Sequence, residues 1–292
     1  MLSQIKRNLK SAALAISCSD STLAEKLSRP LFSRMNIAFN PPGEKVNFAG
    51  TSSAACISID FDVTRPDRFE PNRSGTKRLV ELGEKYHIPM TWAICGMTAE
   101  QDPESYQAVL RSEVRHEIGV HTYSHIAIPD HDDETIRADI EHCISVLHLP
   151  YRPTTFVFPW NKEGRYSLIR ELGFRTFRGK WRAIGVPEQV EGMLKISPVQ
   201  YLGPSSYGST KVINKLMDVC VKYNSVFHLW FHPWDLVHPS LDRFCSTTLE
   251  PVLSHMSQLR ETGKMNIMTL GQLSESYASS QYNMSESRVS TL

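Results

Sequence analysis

The sequence predicts an α/β protein built on a mostly parallel sheet, either open or closed into a barrel. Two observations carry this. From Ala54 onward, short apolar strand-like runs alternate with helix-like segments, and repeated β-then-α units imply crossover helices covering a parallel sheet. Several of those runs also close on ionisable residues, namely Asp60 and Asp62, His121, and His232. Parallel α/β folds build their sites at that end of the strands.

Taken in order, Ala54–Asp62 (AACISIDFD) reads as a strand ending in acids. Gly75–His87 has helical periodicity through Leu79, Val80, Leu82 and Tyr86, and stops before Pro89. Met90–Cys95 is a second strand, Glu104–Arg115 a helix, and Glu117–His121 a third strand. Asp132 or Asp133 caps a helix running to about His148, with Glu134 in its first turn. Thr154–Phe158 is a further strand, and the helix after it stops at Gly173. A helix at Lys211–Lys222, the strand Ser225–Phe231, a helix at Leu249–Arg260 and the strand Asn266–Thr269 complete the series. No internal repeat is evident.

Three segments follow: an extension over 1–50, a catalytic-type domain over 51–276, and a serine-rich tail over 277–292 expected to be disordered. In the extension, Leu2, Ile5 and Leu9 lie at helical spacing among Lys6, Arg7 and Lys10. A basic amphipathic helix over 1–18 is therefore a candidate peripheral membrane contact, and a solvated helix packed on the domain is the equal alternative. The apolar run Ala12–Ile16 is too short for a signal peptide, and Asn40–Gly43 (NPPG) reads as a linker.

Composition narrows the function. Lys and Arg total 32 against 31 Asp and Glu, a formal charge of +1, which disfavours a duplex nucleic-acid partner. No stretch approaches the 18 apolar residues of a membrane-spanning helix. The six cysteines, Cys18, Cys56, Cys95, Cys143, Cys220 and Cys245, lie far apart with no C-x-x-C. They read as buried thiols of a reducing compartment, so a cytoplasmic location is expected, with the inner membrane face as its variant.

Three groups carry chemistry. Asp60 and Asp62 are two apart on a strand, so their carboxylates point the same way, and holding them together favours a cation or proton between them. A cap or salt bridge to Arg65 or Arg68 is the structural alternative. His121-Thr-Tyr-Ser-His125 places two imidazoles four apart; on a helix they would share a face and could grip one metal ion. His232 ends the strand-like SVFHLWFH, where an imidazole is suited to give a proton to a leaving amine; His228, deeper in the same register, reads as structural. Trp160, Trp181 and Trp234 fall near strand-end loops, where indole faces suit sugars, although core packing accounts for a tryptophan equally well. H-E-x-x-H, G-x-G-x-x-G, a P-loop and G-x-S-x-G are all absent.

Together these residues resemble the polysaccharide deacetylase family, the NodB-homology domain of carbohydrate esterase family 4, over residues 54–270. SIDFD matches the variant of the first motif with one residue between its acids, and FVFPWN with the later FRG (Phe177–Gly179) resembles a subgroup found among glycan-biosynthesis enzymes. HTYSH matches the second motif, and the strand into His232 matches the last. The resemblance implies a distorted (β/α)₇ barrel, with Asp60 as catalytic base, His232 as general acid, and Asp62, His121 and His125 as metal ligands. It implies a divalent ion, Zn²⁺ first, with Co²⁺, Ni²⁺ or Mn²⁺ as alternatives. The third motif departs: FVFPWN has Val157 or Phe158 where the family carries an Arg that orients the base. Asn161 or Arg178 is the candidate replacement, and both are grouped with Trp160 and Trp234 as substrate-binding residues.

The expected function is hydrolysis of an N-acetyl or N-formyl group from an amino sugar of a glycan or lipid-linked saccharide, with oxyanion help from a backbone N–H around Trp160 and Asn161. The alternative is a catalytically silent relative that binds glycan or a biosynthetic partner, motivated by the missing Arg and the unusual acid spacing.

Overall fold

The computed structural model describes residues 30–43 and 45–289. A short edge strand, β1 (Ala38–Asn40), precedes β2 (Ala54–Phe61), whose eight residues are all buried, the pattern of a strand covered on both faces. There follow α1 (Phe69–Tyr86), β3 (Thr91–Ile94), α2 (Gly96–Gln101), α3 (Pro103–Leu110), β4 (Glu117–Val120) and α4 (Asp133–Val146). Next come β5 (Thr155–Val157), α5 (Tyr166–Glu171), β6 (Thr176–Arg178), β7 (Ala183–Gly185), β8 (Glu188–Val190), β9 (Met193–Ile196) and β10 (Gln200–Tyr201). The chain ends with α6 (Thr210–Lys222), β11 (Val226–Phe231), α7 (Leu241–Phe244), α8 (Glu250–Glu261), β12 (Asn266–Ile267) and α9 (Leu270–Val289).

Strands β11, β2, β3, β4, β5, β6 and β9 lie side by side, every neighbouring pair parallel. This is the distorted seven-stranded (β/α) barrel that the sequence predicts. One stretch of chain spans its seam. β9 pairs with β6, and a few residues on β10 pairs with β11, while Val199 N–H donates to His228 O (2.8 Å) and Leu202 N–H to Trp230 O (2.9 Å). Ile57, Ile59 and Phe61 of β2 pack with Leu79 and Leu82 of α1 in the main core. The alternate residues Ser58 and Asp60 therefore face the barrel interior. At the N-terminal end of the strands, the Glu117 carboxylate accepts from Thr91 Oγ1 (2.7 Å) and from the Gly271 N–H (3.0 Å), tying down the start of α9.

Three elements differ from expectation. The helix read as Gly75–His87 starts earlier, at Phe69, because Pro71 is tolerated in a first turn, where its missing N–H has no partner to lose. The segment 183–196, to which the sequence assigns no element, forms a strand and a hairpin; Glu191 and Gly192 turn it with φ of 50° and 82°, the two positive values of a type I′ turn. The serine-rich tail expected to be disordered from Ala278 is helical as far as Val289, α9 running through the expected domain boundary. The basic helix expected over 1–18 lies outside the described residues. Among the described residues no helix is long and apolar enough to cross a membrane, and the five described cysteines are buried.

Candidate active site and metal centre

The loops at the C-terminal ends of β2, β4, β5 and β11 meet around one pocket of about 380 Å³. Asp60 and Asp62, His121 and His125, Trp160 and Asn161, and His232 and Trp234 all line it, so the acid pair and the histidines converge as strand alternation and chain order predict.

Asp62 Oδ2 lies 2.9 Å from His125 Nε2 and 3.9 Å from His121 Nε2. Donor atoms of the three residues fall within 4.8 Å of one another. Ligands at 2.0–2.2 Å in a tetrahedron stand about 3.4 Å apart, so this spacing suits a shared ion. The remaining contacts also fit one. His121 Nδ1 sits 2.7 Å from Val157 O and donates to it, which leaves Nε2 a lone pair facing Asp62. Asp62 Oδ1 is buried with no hydrogen-bond partner among the described residues, the kind of orphan that a cation would satisfy. Burial lowers the His121 pKa to about 4, against the pull of Asp60, so the imidazole is neutral, as a metal ligand must be.

The two histidines do not share a helix face. They follow β4 in an irregular loop in which Thr122 and His125 have φ of 61° and 58°. Two left-handed residues thus bring the rings together, with centroids 4.9 Å apart.

Asp60 is 3% exposed. Burial alone would raise its pKa, but the Arg178 guanidinium, with His121 and His232 nearby, holds the carboxyl well below the usual carboxylate range. Arg178 Nη1 and Nη2 bond the two carboxylate oxygens at 2.5 and 2.7 Å. Nη2 also lies 3.3 Å from Asn161 Oδ1, and the guanidinium stacks on Trp230 at 4.2 Å. Arg178 is the Cα partner of Val157 across the parallel β5–β6 pair. The guanidinium therefore enters beside the third-motif position from the adjoining strand. Arg178 is 2% exposed, so it backs Asp60 and is no substrate contact, correcting the sequence grouping. Asn161 braces Arg178, and its own N–H is taken by Phe158 O at 3.1 Å, so that amide is not the expected oxyanion donor.

His232 Nε2 faces Asp62 Oδ1 at 3.7 Å and Asp60 Oδ2 at 3.9 Å. Asp235 Oδ2 accepts from His232 Nδ1 (2.8 Å), the His232 N–H (3.0 Å) and the Tyr201 hydroxyl (2.8 Å). Burial pulls the His232 pKa down, but Asp62, Asp235 and Asp60 outweigh it and raise it. Asp235 escaped the sequence reading; its signal was an acid three residues after the histidine, at the turn that ends the strand. His228 is fully buried, with Nε2 at 2.8 Å from Ser58 Oγ, well away from solvent as its structural reading requires.

The tryptophans divide. Trp234 stacks on His232 at 4.0 Å and donates to Asp62 O at 3.2 Å. Trp160, with φ of 59°, is 61% exposed and its Nε1 donates to His125 O at 3.0 Å. Trp181 is 73% exposed and carries Lys180 over its ring, outside the pocket lining.

Residues 49–177 match the family model described as polysaccharide deacetylase. A curated peptidoglycan deacetylase from Helicobacter pylori is 34% identical over 106 residues, 35% of this chain and 35% of its own, so the match spans about a third of that relative's length. A crystal structure from Mycobacterium smegmatis described as a polysaccharide deacetylase superposes with a TM-score of 0.65 at 16% identity, covering 82% of this chain and 95% of that one. Puue allantoinase gives 0.63 at 14% identity, covering 79% and 92%. At such identities the structural likenesses speak for the fold alone.

Proposed function

Since this chain belongs to the polysaccharide deacetylase family, we propose that it is a metal-dependent amide hydrolase that removes an N-acetyl or N-formyl group from an amino sugar of a glycan or lipid-linked saccharide. One observation carries the reading: a buried Asp-His-His donor set, a buried carboxylate locked as an anion, and a proton-holding histidine all line one pocket.

Asp62, His121 and His125 would hold the ion, Zn²⁺ first, with Co²⁺, Ni²⁺ and Mn²⁺ suited to the same donors. Such an ion supplies Lewis acidity, making water more acidic and polarising an acyl carbonyl. The chain's own residues do the rest. Asp60, kept ionised by Arg178, takes the proton from the attacking water. His232 holds a proton on Nε2, while Asp235 fixes the ring through Nδ1 and stabilises the imidazolium. As the C–N bond breaks, Nε2 protonates the leaving nitrogen, giving free amine and the carboxylic acid. Trp160 offers indole surface at the mouth to the apolar face of a sugar ring, while the Trp234 ring is already stacked between His232 and Arg68.

The catalytically silent reading rested on the missing third-motif Arg and on the unusual acid spacing. The Arg178–Asp60 pair supports activity instead, since a pure binder needs neither a base nor a group to hold it. Cytoplasmic action, with the inner membrane face as its variant, stays part of the proposal, supported by cysteines that are scattered along the chain without a C-x-x-C and are buried where described. Acetate or formate release is measured with wild type, His125→Ala and chelator-treated protein on N-acylated glycans. Release by wild type alone is expected; equal activity in all three overturns the reading.

A further inference from the structure

The loop between β2 and α1 faces two cavities. Thr64, Arg65 and Arg68 line the active-site pocket. A neighbouring cavity of about 470 Å³ is lined by Thr64 and Arg65 again, with Phe69, Arg73 and Met97. Thr64 and Arg65 are thus a wall common to both, and three arginines border the combined space.

Their charges are unequally committed. Arg73 is held by Asp102 at 3.1 Å. Arg65 pairs with Asp67 at 2.8 Å, but both side chains are over 60% exposed, and such pairs are weak and readily exchanged. Arg68 lies 3.6 Å over the Trp234 ring and has no carboxylate partner among the described residues. The pocket's own acids do not neutralise it, since Asp60 is bonded by Arg178 and Asp62 faces the two histidines. A guanidinium laid flat on an indole keeps its N–H edge free, an arrangement suited to bidentate recognition of an oxyanion. That indole also stacks on His232, so the cation stands across the Trp234 ring from the residue that would protonate the leaving nitrogen.

Resting on the hydrolase reading, we infer that this loop is an oxyanion subsite, with Arg68 on Trp234 as its anchor and Arg65 as its second arm. It selects N-acylated amino sugars that bear a phosphate or carboxylate next to the acylated ring. A neutral glycan leaves the Arg68 charge unused. The adjoining cavity takes whatever continues beyond the anionic group.

Calorimetric titration of metal-loaded protein with N-acetylglucosamine, N-acetylglucosamine 1-phosphate and N-acetylmuramic acid tests this without requiring turnover. The wild type is expected to bind at least one anionic sugar about tenfold more tightly than the neutral one, a preference that shrinks as salt is raised. Arg68→Gln brings the anionic-to-neutral ratio close to one, and Arg68→Lys keeps part of it. Preference for the phosphate or for the acid sugar identifies the source of the charge. A wild-type ratio of one, or a loss in Arg68→Gln that is equal for neutral and anionic sugars, overturns the subsite. A protein that shows the preference yet releases no acyl group keeps the subsite and loses the hydrolase.

Discussion

Replacing Arg178 with Met tests how the base is held. The substitution keeps much of the volume but removes the charge that faces a carboxylate only 3% exposed. Breaking a buried ion pair from one side costs about 3–5 kcal/mol, because the remaining charge is left without compensation. The bond is bidentate, at 2.5 and 2.7 Å, and nothing else so close opposes the desolvation of Asp60, so the upper half of that range is expected. Without Arg178, burial raises the Asp60 pKa from below the carboxylate range to above it, and the base spends more of its time protonated. The kcat should fall by roughly 100-fold or more, within the span that a positioned base contributes, while KM, set by the outer pocket, changes little. Denaturant unfolding and acyl-release kinetics on the same protein measure both effects. The double variant Asp60→Asn/Arg178→Met separates them: removing the stranded charge should restore most of the stability and none of the activity. Val157→Arg in the Arg178→Met background should recover part of kcat, since position 157 is the register partner of 178. If Arg178→Met keeps kcat within about threefold and unfolds at the wild-type denaturant concentration, the reasoning is refuted.

Two further outcomes follow from the structure. A Cβ at Gly75 on α1 would lie 2.1 Å from Pro233 O and 2.6 Å from its carbonyl carbon, so Gly75→Ala must push the His232–Pro233 turn outward. Overpacking of about 1–3 kcal/mol outweighs the helix-propensity gain of roughly 1 kcal/mol, and a lower melting temperature with about a tenfold drop in kcat is expected; unchanged kinetics would show that the turn adapts. Stability should also fall in mild acid. Burial lowers the pKa of His228 to about 3 and of His116 to about 4. The unfolded chain takes up those protons near pH 6.5, so stability present above that pH is lost as pH falls toward 3. The two sites together make this on the order of 2–4 kcal/mol by pH 5. Urea melts across pH 5–8 check it, and His228→Gln should flatten the slope; an unaltered slope counts against His228 as the cause.

The barrel was legible because β2, β3, β4 and β11 are apolar runs separated by clearly periodic helices, and the length of each signal exceeds its noise. The tail was misread because serine content was weighed and the docking of Gly271 onto Glu117 cannot be seen in composition. The donor residues were readable as types at strand ends, whereas the loop geometry at His121 and His125 was not. Local spacing suggested a helix, and the backbone instead places the rings with two positive φ values. Asp235 was hidden for a similar reason: an acid in a turn has many uses, and only its three contacts single it out.

The side-by-side placement of Val157 and Arg178 means that a guanidinium can be exchanged between neighbouring strands while its target stays put. What the fold holds fixed at such a locus is a point in space, reachable from either staple of the ladder, and a string pattern tied to one staple misses a guanidinium that stands on the other. Relatives dismissed as inert for want of that one letter can be screened again by asking which residue stands opposite it in the sheet.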